Sequence, residues 1–362
     1  MKISSLTLTL FTCLSCASCS VNSTVSTPNK IDFAGQHTLE WNHKFNNDLF
    51  GGISSLYFDN KTEVFYGISD DKEKTRVYKI KMDLSEKGIN NFKIDNVIYI
   101  QDPSESLDAE GIALLDNKSF FYTSERGNIL RLSNINGKYI KNFDHVIPDY
   151  YKVKDNEGHR FNLGAEGLSM TPDKNYLFLA FENTLKQDGE INSAKKGSLS
   201  RILRYKWDKK AKELVLDGEF LYEIGPIPKK EIKENDKSDN GVSEVLALNE
   251  NKLLIIERAG IQLNEKDWEN KIKVFYVDLS NATNIKNVVA IDELDKKPVT
   301  AKKELFIDFN KVMKENPDCI EAITFGPKIN GQKTLIFASD SNFNDTQANK
   351  FYLFIDKKGV LN

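Results

Sequence analysis

Residues 108–127 read DAEGIALLDNKSFFYTSERG, and residues 164–183 read GAEGLSMTPDKNYLFLAFEN. Both open on a small residue and a Glu, run through a short apolar strand, turn at Asp-Asn or Pro-Asp, and return through a second apolar strand ending in acid. The same grammar recurs as GGISSLYFDNKTEVFYGISDD from Gly51, VSEVLALNENKLLIIERAG from Val242 and CIEAITFGPKINGQKTLIFASDSN from Cys319. Asp-Asn, Pro-Asp and Asn-Gly supply hairpin turn chemistry between strands rich in Leu, Ile, Phe and Tyr. A further strand of alternating apolar and polar residues follows each hairpin, as in TRVYKIKM from Thr75 and SRILRYKW from Ser200, the pattern of a half-buried strand.

A supersecondary unit recurring five times along the chain predicts an all-β, radially repeated architecture. We expect a β-propeller of five or six blades, each of about four antiparallel strands. Glu110 and Glu166 are 56 positions apart and Glu166 and Glu244 are 78 apart, so later blades carry insertions. One is the charge run KKEIKENDKSDN from Lys229, read as solvated surface. A sixth blade has room only between Ile272 and Phe309, and the segment from His37 to Trp41 is placed to complete the last repeat and close the ring. Helix is expected only around Asn310–Glu315. A two-sheet sandwich also accommodates the hairpins, but it does not account for the recurring leading Glu.

The chain has 362 residues, is 40% hydrophobic and 28% charged, and has a formal charge of −3. Those values describe a globular protein without the concentrated basic face of a nucleic-acid binder. Residues 1–19 combine Lys2, an apolar run and the small-residue segment SCASCS, the layout of a secretory signal. Ala17-Ser18-Cys19 resembles a bacterial lipoprotein box, which makes Cys19 the expected lipidation site. Cys16 is the alternative anchor, and a simple signal peptide the alternative reading. Residues 20–30 read as a tether and 31–362 as the folded domain. An exported, monomeric protein of the cell envelope is expected, touching the membrane only through its lipid. Cys319 alone lies beyond the signal region, so no disulfide framework is available to the mature chain.

These segments resemble the phytase-like family, described as having esterase-like activity of phytase. The resemblance is carried by Gly51-Gly52-Ile53-Ser54, Asp108-Ala109-Glu110-Gly111-Ile112 and Asn162-Leu163-Gly164-Ala165-Glu166-Gly167-Leu168. It continues through Ser243-Glu244 with Glu257-Arg258, Cys319-Ile320-Glu321 with Gly326-Pro327, and Ser339-Asp340-Ser341-Asn342-Phe343. It spans nearly all of the mature chain in order. Ser55, Ala322 and Ser341 depart from the family pattern, and none removes a charged position. The resemblance implies a propeller and a hydrolytic activity.

Innermost strands of a propeller start beside one axis, so Glu110, Glu166, Glu244 and Glu321 are expected to converge there. Two carboxylates about 6 Å apart repel by about 3 kcal/mol at an effective dielectric of 20, so cations, arginines or protons must balance four of them. With Asp340 these glutamates form a candidate oxygen-donor set for Ca²⁺; the four histidines are scattered and make no zinc cluster. Capping of blade edges or pairing with Arg is the competing structural account. In a hydrolase, Arg126 and Arg258 would hold anionic oxygens, Glu125 or Glu182 would act as general base, and Arg160, Asn162 and Asn342 would contact a small ester or phosphoester. No G-x-S-x-G segment supports a serine nucleophile. A non-enzymatic propeller that binds a ligand or protein partner is the alternative function.

Overall fold

The structure is a computed structural model and describes residues 30–104, 106–233 and 235–361. Cys13, Cys16 and Cys19, and with them the proposed signal and anchor, lie outside those residues. Five four-stranded antiparallel sheets form the blades of a propeller. Their innermost strands are Ile53–Asp59, Ala109–Asp116, Ala165–Met170, Gly241–Ala247 and Cys319–Ile329. The ring closes as expected: strand Asp32–Leu39 pairs antiparallel with Asn349–Ile355 and becomes the outer strand of blade 5. The two ends of the chain thereby complete one sheet.

The turn residues act as their chemistry dictates. Asp59, Asp116 and Asp173 each accept the amide two residues on through a side-chain oxygen. Asn330 and Gly331 both take positive φ, at 49° and 80°, as a tight type I′ hairpin requires.

Packing explains why inner strands are apolar on both faces. A separate hydrophobic cluster fills each of the five gaps between neighbouring blades; Leu130 with Leu179 marks the gap between blades 2 and 3, and Leu254 with Phe337 that between blades 4 and 5. The second strands Val64–Ser69 and Ser119–Ser124 are buried throughout. Of the third strands, Arg76–Ser85 and Ser198–Asp208 change from near-continuous burial to alternate exposure along their length, whereas Ile129–Asn134 is buried in all but its last residue.

The Ile272–Phe309 stretch holds no sixth blade. It contains the end of strand Trp268–Asp278 and all of strand Lys302–Asp308, both in blade 4. The chain between them returns to blade 3, where Ile285 and Ala301 donate backbone hydrogen bonds to Glu219 and Leu221. Arg201, buried there with Asp188 and Glu219 as ion-pair partners, also donates to the Val288 carbonyl. The expected helix is one turn, Phe309–Val312. No helix of the described residues is long and apolar enough to cross a membrane.

Candidate functional site

Strand register carries acids from separate blades to one end of the central channel. In each blade the start of the first strand pairs with the end of the second: Ile53 with Ser69, Ala109 with Ser124, Ala165 with Phe181, Val242 with Glu257, and Ile320 with Ser339. The residues that follow these pairs form two sets around the axis. After the first-strand members come Ser54, Glu110, Glu166, Ser243 and Glu321. After the second-strand members come Asp70, Glu125, Glu182, Arg258 and Asp340. A shift of register lies just past the first-strand position in every blade, a bulge of the kind that re-aims side chains beside functional sites.

A cavity of about 560 Å³ opens here, lined by nine carboxylates and by two cations, Lys72 and Arg258. The carboxylates are the seven just named together with Asp108 and Asp239. Two triplets bring ligand oxygens within 4.8 Å of one another: Asp108, Glu110 and Glu125, and Glu125, Glu166 and Glu182. Glu125 belongs to both. Its carboxylate accepts the Gly164 amide at 2.7 Å, and a Cβ on Gly164 would stand 2.7 Å from its Cγ. Gly241 makes the same room for Glu182. The glycine before the first strand of blade 3 and the glycine that opens that of blade 4 are therefore spaces kept for acids of the preceding blades.

Charge balance is uneven around the ring. Arg258 lies 3.3 Å from Glu321, 3.5 Å from Glu182 and 4.0 Å from Asp239, so its charge faces blade 5 and the end of the second strand of blade 3. Lys72 pairs with Asp108 at 2.8 Å, and exposed Arg126 stands 3.7 Å from the same carboxylate. Among the described residues no ion pair involves Glu110, Glu125 or Glu166. Burial, then repulsion from Glu321 and Asp70, raises Glu110 well above the usual carboxylate range. Glu166 is raised likewise by burial, with Glu110 and Glu182 adding repulsion. Asp70 is pushed to about 8 by burial and by Asp340 and Asp108, and Asp340 to about 7 by burial and Glu321. Asp70 Oδ1 is buried without a hydrogen-bond partner.

Several sequence expectations are redrawn. Glu244 is one residue out of step, with Ser243 at the position of Glu110, Glu166 and Glu321. Its buried carboxylate accepts the Ser55 hydroxyl and the amides of Leu168 and Val245, and it does not line the cavity. Three of the four glutamates therefore meet there. Arg160 donates to the carbonyls of Thr184 and Gly189, both at 2.6 Å, and does not line the cavity, because a basic loop residue beside free carbonyls finds partners locally. Arg258 lines the cavity within ion-pair distance of three carboxylates, and its buried Nε has no hydrogen-bond partner. Asn162 and Asn342 do line the cavity, and Glu182 and Asp340 form part of its wall. Asp70, Asp108, Asp239, Lys72 and Cys319 join it without having been singled out. Asp70 had a visible signal, since ISDD ends its strand just as TSER and AFEN end theirs.

A family model described as "Phytase-like: Esterase-like activity of phytase" matches residues 48–343. No curated protein matches the sequence. Among solved structures, the endo-arabinase from Bacteroides thetaiotaomicron aligns at 12% identity and TM-score 0.43, covering 84% of this chain and 93% of that one. An arabinanase of Bacillus subtilis aligns at 14% identity and TM-score 0.42, covering 90% of this chain and 97% of its own.

Proposed function

The chain belongs to the phytase-like family, and from that premise we propose that it hydrolyses phosphoesters or other esters at the acidic channel mouth with a bound calcium ion. One observation carries the reading: Glu125 stands within ligand reach of two carboxylate triplets, and of their five members only Glu182 faces Arg258, while Glu110, Glu125 and Glu166 have no ion-pair partner among the described residues. The donors fit a hard cation. Every candidate ligand atom in both triplets is a carboxylate oxygen, the set Ca²⁺ takes in six- to eight-fold coordination. The unpartnered Asp70 oxygen adds a buried acceptor to the same cavity.

Asp108, Glu110, Glu125, Glu166 and Glu182 would hold the ion, which moves Glu125 and Glu182 from candidate bases to candidate ligands. When bound, calcium supplies positive charge that polarises an ester or phosphoryl oxygen. The remaining groups bind and orient. Lys72 and Arg126, both at the Asp108 edge, are placed to receive anionic oxygens of the substrate. Asn162 and Asn342 supply neutral donors at the mouth. Asp70, raised by burial and by Asp340, and Asp340, raised by burial and by Glu321, would be two carboxyls able to hold and pass a proton. Arg258 keeps Glu182 and Glu321 in place. Export through residues 1–19 and anchoring at Cys19 would set this activity in the bacterial cell envelope.

Calorimetric titration with CaCl₂, together with hydrolysis of p-nitrophenyl phosphate and p-nitrophenyl acetate in calcium and in EDTA, tests the reading. Saturable calcium binding with calcium-dependent turnover of either ester is the expected result. Absence of calcium binding would overturn the metal centre. Binding without turnover would leave a calcium-holding, non-catalytic propeller.

A further inference from the structure

A second cavity of about 490 Å³ lies at the opposite end of the channel. Its floor is a ring of five apolar side chains, Leu56, Ile112, Leu168, Val245 and Ile323, one from each blade. They sit two positions beyond Ser54, Glu110, Glu166, Ser243 and Glu321 on the same strands, and each is at most 3% exposed. The channel is thus plugged between its two mouths, and the lower cavity has no passage to the acidic one. Its volume falls within the ~300–1,000 Å³ typical of small-molecule sites. Tyr57, Met170, Leu246, Leu248, Phe325 and Leu361 add apolar wall.

The charge here is opposite to that above. Lys61, Lys174, Lys328 and Lys333 line this cavity, and among the described residues Asp59 is its only acid. Lys174 is the unusual member. Its ammonium donates to the Tyr57 hydroxyl and to the Leu114 carbonyl and stands 4.4 Å from the Tyr57 ring centroid. No ion pair among the described residues includes it. An ammonium has three N–H donors, and two are used. Burial pushes it down to about 8, against more distant Asp59 and Asp116, which raise it, and with Lys61, which lowers it further. A partly buried ammonium beside an apolar chamber, with neutral partners and a spare donor, can accept one anion.

We infer that this lower cavity binds a single-chain amphiphile with an anionic head, such as a fatty-acid carboxylate, its tail on the five-residue floor and its head on Lys174. The complementarity is of two kinds at once, apolar area for the chain and unbalanced positive charge for the head. The site is independent of the calcium reading, since the apolar plug separates the two.

Dodecanoate is the probe, titrated calorimetrically in EDTA at pH 7 into the wild-type chain, with dodecan-1-ol as its uncharged counterpart. One dodecanoate per chain should bind, with dodecanol at least tenfold weaker. Lys174→Met should weaken dodecanoate at least tenfold and leave dodecanol unchanged. Leu248→Trp, which fills the chamber from a half-buried wall position, should abolish both, with thermal melting confirming that each variant folds. Wild-type protein that binds no dodecanoate, or a folded Lys174→Met that binds it undiminished, overturns the inference. Should Lys174→Met fail to fold, undiminished binding by folded Leu248→Trp overturns it instead.

Discussion

The Ser55 hydroxyl donates to the Glu244 carboxylate, joining blades 1 and 4 across 189 positions of sequence. Both residues stand one step beyond the bulge residue of their strands, where the other blades have Gly111, Gly167 and Ala322. Three small residues and one Ser leave room at this level for a single long side chain, and Glu244 fills it. Ser55 and Ala322, which depart from the family pattern, therefore belong to one arrangement. Acid lies above this tier and an apolar plug below it.

Glu244 should accordingly matter to stability and not to the ion. Glu244→Ala strands the Leu168 and Val245 amides and the Ser55 hydroxyl in a buried place. At ~1–3 kcal/mol for each unpaired buried group, a loss of at least about 3 kcal/mol is expected. Burial raises this carboxyl well above its usual range, so the neutral Glu244→Gln should cost no more than about 1 kcal/mol. Urea unfolding midpoints check both, and calcium affinity of the Gln variant should stay within twofold of wild type.

The position shared by both triplets sets the second expectation. Glu125→Gln removes a charge from each triplet while leaving an amide oxygen for the Gly164 N–H, so the fold should persist. Calcium affinity should fall at least a hundredfold. Glu321→Gln acts on a carboxylate that Arg258 already faces and should weaken calcium by less than tenfold. Calorimetric titration of the two variants side by side decides between a centre on blades 2 and 3 and one spread evenly around the ring.

Much of this was legible in the sequence because blades repeat. Turn dipeptides, the leading Glu and the closing N-terminal strand all follow from local chemistry that recurs, and the repeats place those residues on one axis. Register was not legible to single-residue precision. SEV and AEG look interchangeable, yet one residue moves Glu244 from the cavity to the tier beneath it, because Glu244 stands two positions after the paired Val242 whereas Glu166 stands one after the paired Ala165. Charge pairing was equally hidden. Arg258 follows Glu257 in the chain, but its partners are Glu182, Asp239 and Glu321 from elsewhere, while Glu257 turns to Tyr222 and Lys303. Distances of that kind depend on how neighbouring blades pack.

Arg258 offers a test of the structural role of charge. Arg258→Met leaves Glu182 and Glu321 buried without their cation, a change worth about 3–5 kcal/mol when one partner of a buried pair is lost. Adding Glu321→Gln removes part of the uncompensated charge, so the double variant should recover at least about 1 kcal/mol relative to Arg258→Met. Denaturant titration in EDTA measures both, and a double variant less stable than the single would show that Glu321 is not a partner in this sense.

The crowded carboxylates also dictate how stability depends on pH. Asp70 and Asp340 have an ordinary value of 3.8, and in the folded protein they rise to about 8 and about 7. Between those limits the folded state holds protons that the unfolded chain has released. Stability then falls as pH rises: the contribution is complete below about 4 and is lost by about 8. In EDTA the melting temperature should therefore drop by several degrees between pH 5 and pH 8. Calcium reverses the sign of the local charge problem, because a bound cation favours the ionised carboxylates and expels their protons. With saturating calcium the decline should flatten or invert. Titrations at pH 6 in buffers of different ionisation enthalpy should show at least one proton released per ion bound. A calcium-free protein that grows more stable from pH 5 to pH 8 would mean that these acids are compensated by something other than protons.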